Sequence, residues 1–385
     1  YGFVFDDIYH ITKNEFIREA QYIPSYFTSD FWKMGNFLEK PPYYRPLFLL
    51  SFFIDYKLWG LNPLGFHITN ILIHVFTTLL VYFIALNLFR DRFVAFISSF
   101  LFSLHPIHTE AVTFISARTH LLAAFFFFIS VNSFLKFKNN NTLYYCISII
   151  SFALALLSNE SAIVLPLILL LIGYKGMNKE AISICQRIFK TALPFIPYLF
   201  LIIGYLFLRR YIVGTIIIPD LTAVDIYHRI LTAIWITTKY IQLLLIPIDL
   251  NPYYPTILLD SIFDPFALFS LFIFIIIIIL LAATRKRDNE IFFSILLIFI
   301  PIVPTLGVLF YQVFHKVGYV MMAERYLYIP SVGFSFLTGL LIKRVLYSKL
   351  IRDNLYYRGL IYGITGVVAI LYILGVSYQN TFWKN

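Results

Sequence analysis

Two adjacent carboxylates, Asp6 and Asp7, stand at the head of a chain that is otherwise strongly apolar. They follow the run Gly2-Phe-Val-Phe5, and the first residue is not Met, so the chain is expected to begin at the end of a transmembrane helix that has been cut away. At a membrane surface a carboxylate can reach both a lipid headgroup and water. The plainer reading is that the pair caps a loop helix. Further residues able to do chemistry are Arg45, His67, the string His105-Pro-Ile-His108-Thr-Glu110, Arg118, Glu160 and Glu324-Arg325. Two histidines three apart with a carboxylate beyond form a candidate metal set. Pro106 breaks the helix between them, so the helical His-Glu-x-x-His geometry is lost and no metal is assigned. His105, His108 and Glu110 are read instead as groups that position substrate or hold a loop. His67, Asn70 and His74 share a helix face by their spacing. Interhelical hydrogen bonding accounts for His74, while His67 stays open.

The elements that must position these residues are membrane helices. Hydrophobic residues make up 60% of the chain and charged ones 13%, against about a quarter charged in a soluble domain. Apolar runs of roughly 20 residues recur, each long enough to cross a bilayer core. They are continuous rather than alternating, which disfavours a β-barrel. The composition predicts an all-α polytopic membrane protein. Residues 1–62 read as a long extracytoplasmic loop, with 45–59 lying along the interface. Residues 63–377 read as the transmembrane domain, with crossings at 63–89, 93–104, 119–135, 142–157, 161–174, 191–213, 261–283, 291–310, 326–342 and 359–377. Residues 378–385 read as a junction. Cys146 and Cys185 define neither a disulfide nor a zinc framework.

The net charge of +10 does not point to nucleic acid, because the basic residues occupy short loops between apolar runs and so report topology. Arg90 and Arg92, Lys136 and Lys138, Lys175 to Lys190, Arg285-Lys-Arg287 and the tract 343–358 are assigned to the cytoplasm. That pattern holds throughout only if 226–248 is re-entrant or interfacial. The first loop and the C-terminus then face outward. Asp6, Asp7, Arg45, His105 to Glu110, Arg118, Glu160 and Glu324-Arg325 all fall at or near the outer face. Polar groups at membrane segments are costly and tend to be functional, so their gathering on one side predicts one site.

Several strings occur in a particular order: Phe3-Val-Phe-Asp-Asp7, Asp30-Phe-Trp32, Tyr44-Arg-Pro-Leu47, Gly65-Phe-His67, Leu104-His-Pro-Ile-His-Thr-Glu-Ala-Val112 and Ala323-Glu-Arg-Tyr-Leu-Tyr-Ile-Pro-Ser-Val-Gly333. This ordered set resembles the transmembrane-and-TPR O-mannosyltransferases (TMTC type) of the GT-C glycosyltransferase superfamily. The resemblance implies a multi-helix enzyme that moves a sugar, expected to be mannose, from a polyprenyl-phosphate donor to Ser/Thr hydroxyls of a protein acceptor, on the extracytoplasmic or lumenal side. The membrane would be the cytoplasmic membrane of a prokaryote, or the endoplasmic reticulum of a eukaryote. Asn380-Thr-Phe-Trp383 resembles the junction before the family's TPR array. Two positions depart from the pattern. Asn159-Glu160 stands where Lys-Glu is usual, and His120 stands where an acidic residue is usual two after Arg118.

Such a donor carries its own leaving group, so no nucleotide pocket is needed, and no glycine-rich phosphate loop is present. Asp6 is then the expected base for the acceptor hydroxyl, with Asp7 an orienting or alternate acid. Ionisation of one carboxylate makes its neighbour more basic. Arg45, Arg118 and Arg325 are the candidates to grip the leaving phosphate, since guanidinium matches paired phosphate oxygens. For each, snorkelling to lipid headgroups is the rival, and for Arg325 an ion pair with Glu324 or another acid. Glu160 is a supporting residue or a helix cap, and His67, His105, His108, Glu110 and Glu324 complete the supporting set. Two other functions stay open: a GT-C enzyme acting on a lipid or glycan, and a non-enzymatic transporter or membrane scaffold.

Overall fold

A computed structural model describes residues 2–30, 43–137, 141–175, 193–214, 225–252, 254, 258–306, 322–349 and 351–384. Phe31, Trp32, Lys138, Lys179, Arg187 and Lys190, on which parts of the motif and charge readings fall, lie outside them. The described residues form helices and no strands, with one isolated bridge between Tyr254 and Met322. In chain order the helices that matter are α1 (Pro46–Trp59), α2 (Pro63–Phe89), α3 (Arg92–Leu104), α4 (Arg118–Phe137), α5 (Thr142–Ser158), α6 (Leu165–Lys175) and α7 (Ile196–Val213). They are followed by α8 (Ile226–Leu245), α9 (Pro265–Arg287), α10 (Asn289–Ile302), α11 (Pro330–Leu346) and α12 (Leu355–Phe382). Among the described residues five stretches are long and apolar enough to cross a membrane: Pro63–Phe89, Ile115–Phe137, Leu193–Val213, Pro265–Arg285 and Leu355–Phe382. The chain is an all-α, multi-pass membrane protein.

Local chemistry sets the helix ends. Proline opens α1, α9 and α11, where its missing N–H costs nothing and its fixed φ suits the first turn. Side-chain caps start α3, α5, α10 and α12: Asp91 accepts from the Val94 N–H, Asn141 from Leu143, Asp288 from Ile291 and Asn354 from Tyr356. These bonds satisfy donors that a helix leaves without partners. Gly214 ends α7 in the left-handed region at φ 84°, which side chains with a Cβ rarely adopt.

The chain divides into two compact units. The first comprises Tyr1–Leu80 and Ile115–Ile218. Its core under the N-terminal segment joins Ile11, Ile17, Tyr26, Phe48, Phe52, Phe66 and Ile115, all nearly inaccessible. The acidic segment therefore rests on α1 and the start of α2.

The second unit comprises Val81–Phe114 and Pro219–Asn385. Here α11 packs between α3 and α10. The contact is close enough that a Cβ on Gly333 would lie 2.6 Å from the Ile298 backbone nitrogen, and one on Gly339 would lie 2.4 Å from Ser98 Oγ. Small residues of this kind let helices approach in a medium that offers no hydrophobic drive between them. At one end of this trio Lys343 pairs with Asp91 at 2.7 Å and Arg344 pairs with Asp288. The last turn of α11 thus meets the first turns of α3 and α10, with charge signs that also suit the helix dipoles. His105, Glu110 and Glu324-Arg325 sit at the other end.

After α8 the chain turns back on itself. The Leu259 N–H donates to Thr232 Oγ1 at 3.0 Å and the Ile262 N–H to the Tyr227 hydroxyl at 2.8 Å. So α9 starts beside the first turns of α8 rather than its end. The close approach at Gly333 makes a test. Gly333→Ala is expected to cost about 1–3 kcal/mol through overpacking and lower the melting temperature in detergent. Gly363→Ala, where an added Cβ meets nothing within 4 Å, should leave it unchanged or raise it.

Candidate functional site

The N-terminal carboxylates are treated differently by the fold. Asp7 is fully buried and Asp6 half-buried. Asp7 Oδ1 accepts from the Ser116 N–H at 2.8 Å and from the Ser116 hydroxyl at 2.5 Å, and Oδ2 accepts from the Val4 N–H at 3.2 Å. Its side chain makes no capping bond to the helical turn it precedes. The carboxylate therefore ties the segment to residue 116 instead of starting a helix. His10 Nδ1 lies 3.0 Å from the same Ser116 oxygen. Burial pushes the Asp7 carboxyl up to about 6, against the opposing pull of the Ser116 hydroxyl. Just before the pair, Phe5 holds φ at 48°, a conformation sparsely populated for a bulky residue.

Arg118 is inaccessible, and four groups hold its guanidinium. Nε donates to Asn70 Oδ1 at 2.6 Å, Nη2 to the Phe66 carbonyl at 2.9 Å, and Nη1 reaches Ser51 Oγ at 3.4 Å and Asp55 Oδ2 at 2.5 Å. The Phe52 ring lies 4.8 Å from the guanidinium carbon. One side chain thereby joins α1, α2 and α4. Asp55 also accepts from the Thr69 hydroxyl at 2.8 Å. In the sequence Asp55 was not singled out, because 45–59 reads as an interfacial stretch. The signal was an acidic residue in an otherwise apolar stretch, which needs a buried partner.

Glu160 follows the end of α5. It accepts from Arg45 Nε at 3.2 Å and Nη2 at 2.9 Å, and Arg209 Nη1 lies 4.0 Å away. Its helical turn is capped by Asn159 instead. Arg45 stacks over Tyr43 at 4.3 Å and keeps partial exposure, with 16% of its side chain accessible. Arg209, near the end of α7, is buried and was missed in the sequence because it reads as a terminal charge on a crossing. The Asn159 amide reaches the Thr119 hydroxyl at 3.4 Å, so one departure from the family pattern sits beside the chain neighbour of the other. His67 is half-buried in the first turn of α2 and hydrogen-bonds the Gly2 backbone.

In the second unit Glu110, fully buried, accepts from the Arg325 backbone N–H at 2.8 Å and pairs with its guanidinium. Arg325 is thus paired with Glu110 and not with its neighbour. Glu324 accepts from the Tyr254 hydroxyl at 2.6 Å. Burial, with the charge on Glu110 adding to it, pushes Glu324 up to about 8. Near neutral pH Glu324 is therefore largely protonated. His105 Nε2 lies 3.0 Å from the Leu244 carbonyl and Nδ1 accepts from the Ile107 N–H at 3.2 Å, which fixes a neutral ring with its proton on Nε2. His108 packs between Phe102 and Tyr328 and reaches Ser331 Oγ at 3.4 Å. Among the described residues no three His, Cys, Asp or Glu groups gather as a metal set. Thr113 donates to Asn380 Oδ1 at 2.8 Å and Phe114 stacks on Trp383 at 5.4 Å, so the end of α12 braces this motif.

The Arg118–Asp55 pair generates a stability prediction. Asp55→Ala leaves a buried guanidinium without its charge partner and should cost about 3–5 kcal/mol. Replacing both partners, Asp55→Leu with Arg118→Met, should recover much of that loss. Denaturation of the purified variants in one detergent checks both outcomes. Equal losses in the single and double variants would contradict the pairing.

Over 88% of its length the chain is similar to human "Protein O-mannosyl-transferase TMTC3", with 29% identity across 376 residues that cover 40% of that protein. It is likewise 29% identical over 357 residues to "Protein O-mannosyl-transferase F38B6.6" of Caenorhabditis elegans, covering 89% of this chain and 49% of that one. A shorter region of 137 residues, 34% of the chain, is 39% identical to human "Protein O-mannosyl-transferase TMTC1" and covers 15% of it. The chain thus spans half or less of the length of these curated relatives. No protein-family model and no solved structure matches it.

Proposed function

We propose that this chain, a homologue of the TMTC-type protein O-mannosyl-transferases over nearly its whole length, is the membrane module of a protein O-mannosyltransferase. The donor is a polyprenyl-phosphate mannose and the acceptor a protein Ser or Thr hydroxyl, on the extracytoplasmic or lumenal side. The observation that carries this reading is the asymmetry of the acidic pair within a homologue of these enzymes. Asp7 is buried and clamped to Ser116, while Asp6 beside it keeps access.

The chemistry is a single displacement at the anomeric carbon. The acceptor oxygen forms the new bond as its proton passes to Asp6. The bond from that carbon to the phosphate oxygen breaks, and polyprenyl phosphate leaves with the electron pair. A positioned carboxylate base contributes typically 10²–10⁴-fold. Asp7 orients the segment that carries Asp6. Arg45, held in a fork by Glu160, is the phosphate-binding group of the first unit, because its side chain keeps partial exposure. Arg118 is assigned to positioning, since its donors are spent on Asn70, Phe66, Ser51 and Asp55. Arg325 is the second unit's candidate for an anionic ligand. His105 and His108 hold the loop that carries Glu110. Helix α8 is re-entrant or interfacial instead of crossing, a reading supported by the return of the chain from its end to its start.

The test is transfer of labelled mannose from polyprenyl-phosphate mannose to a Ser/Thr-rich acceptor by the purified full-length protein, followed against pH. Asp7 holds its segment best as the carboxylate, so activity should rise as pH passes upward through about 6. Asp7→Asn removes that titration and should flatten the acid limb while lowering the rate. Consumption of a nucleotide sugar in place of the lipid-linked donor would contradict the proposal.

A further inference from the structure

The second unit contains a cavity of about 330 Å³ between α3, α11 and α12. It is lined by Leu101, Thr338, Leu341, Ile361, Thr365 and Val368, and its wall offers only apolar surface. Leu341 and Ile364 are about half-exposed, so the cavity opens sideways to whatever surrounds the helices. Its extent follows from the helices that form it. Thr338 to Val345 on α11, and Ile361 to Val368 on α12, each cover about 10 Å at the helical rise. That is a slot for part of a hydrocarbon chain, not for a compact polar ligand.

The charge at one end of the slot decides which chain. Ile361, Thr365 and Val368 follow one face of α12, and Arg358 continues that face one turn beyond Ile361. Among the described residues the Arg358 side chain has no hydrogen-bond or ion-pair partner, although it is half-buried. Lys349 follows Val345 by four residues at the same end. The other charges there are already committed: Lys343 to Asp91, Arg344 to Asp288 and Arg352 to Asp353 at 3.1 Å. A guanidinium one helical turn beyond the lining face of a dry slot is complementary to one anionic head joined to an apolar tail. Basic groups of this kind between membrane helices attract anionic headgroups, at about 1 kcal/mol per charge near the surface.

We propose that the α11–α12 groove is a binding site for an anionic glycerophospholipid. One acyl chain lies in the slot and the phosphate sits against Arg358, with Lys349 beside it. This site is at the opposite end of the second unit from Glu110 and Arg325, so it does not depend on the assignment of the sugar donor. A lipid seated there would bridge α11 and α12, which otherwise meet along a small seam.

The test uses the full-length protein reconstituted in phosphatidylcholine vesicles that contain phosphatidylglycerol. Spin-labelled forms of each lipid report the motionally restricted fraction at the protein surface. The wild type should retain phosphatidylglycerol about fivefold over phosphatidylcholine. Arg358→Gln should remove that preference and leave the restricted phosphatidylcholine unchanged. Thr338→Trp, which fills the slot, should also remove it while keeping every basic residue. Circular dichroism and melting of both variants verify the fold. If the preference is missing from the wild type, or survives Arg358→Gln, the site is wrong. If it survives Thr338→Trp, the attraction is diffuse surface charge and the groove is not the site.

Discussion

The buried ion pair of Arg118 and Asp55 is the constraint on which the first unit depends. A guanidinium without access to water must be matched in charge and in hydrogen bonds. Here the match draws Ser51 and Asp55 from α1 and Phe66 and Asn70 from α2 onto the one side chain from α4. Those helices form the floor on which Ile11, Ile17 and Tyr26 pack. Two residues before Arg118 lies Ser116, the partner of Asp7. Fixing Arg118 therefore also fixes the place to which the acidic segment is tied. The strained backbone at Phe5 is tolerable only because such neighbours over-determine it.

The second unit solves the same problem with different groups. Glu110 and Arg325 form its charged pair, and the backbone N–H of Arg325 adds a second bond to the same carboxylate. Glu324 cannot share that cation. Its own burial, next to the charge of Glu110, favours the protonated form, and Tyr254 takes its oxygen. Adjacent residues in one string thus carry opposite burdens: one is a paired cation and the other a neutral acid near pH 7. The histidines before them hold backbone and ring contacts, which suits a loop that must keep its shape where a membrane helix ends.

The helical class and the places of the apolar helices were legible because continuous apolar runs admit few other structures in a membrane. The ordered motif strings also carried the relationship to the O-mannosyl-transferases, which the similarity to the human and nematode proteins bears out. Partner identity was not legible. Arg45, Arg118 and Arg325 look alike as single letters, yet the fold gives one a partly open fork on Glu160, one a sealed pocket, and one a carboxylate far off in sequence. Asp55 and Ser116 were passed over because each acts only through a residue distant in the chain. Asp7 could be seen as chemistry or as a cap, and only its bonds to Ser116 and Val4 separate the two.

In the proposed mechanism Asp6 acts as the base while its neighbour holds the segment. Mannose transfer by Asp6→Asn, measured beside donor binding, tests this most directly. Asn keeps the shape and most hydrogen bonds of Asp but cannot take a proton near neutral pH, and it caps a helix as well as Asp does. The expected result is a fall in transfer on the order of 10²-fold or more, with expression, membrane insertion and donor binding preserved. Transfer at the wild-type rate by Asp6→Asn would contradict the account.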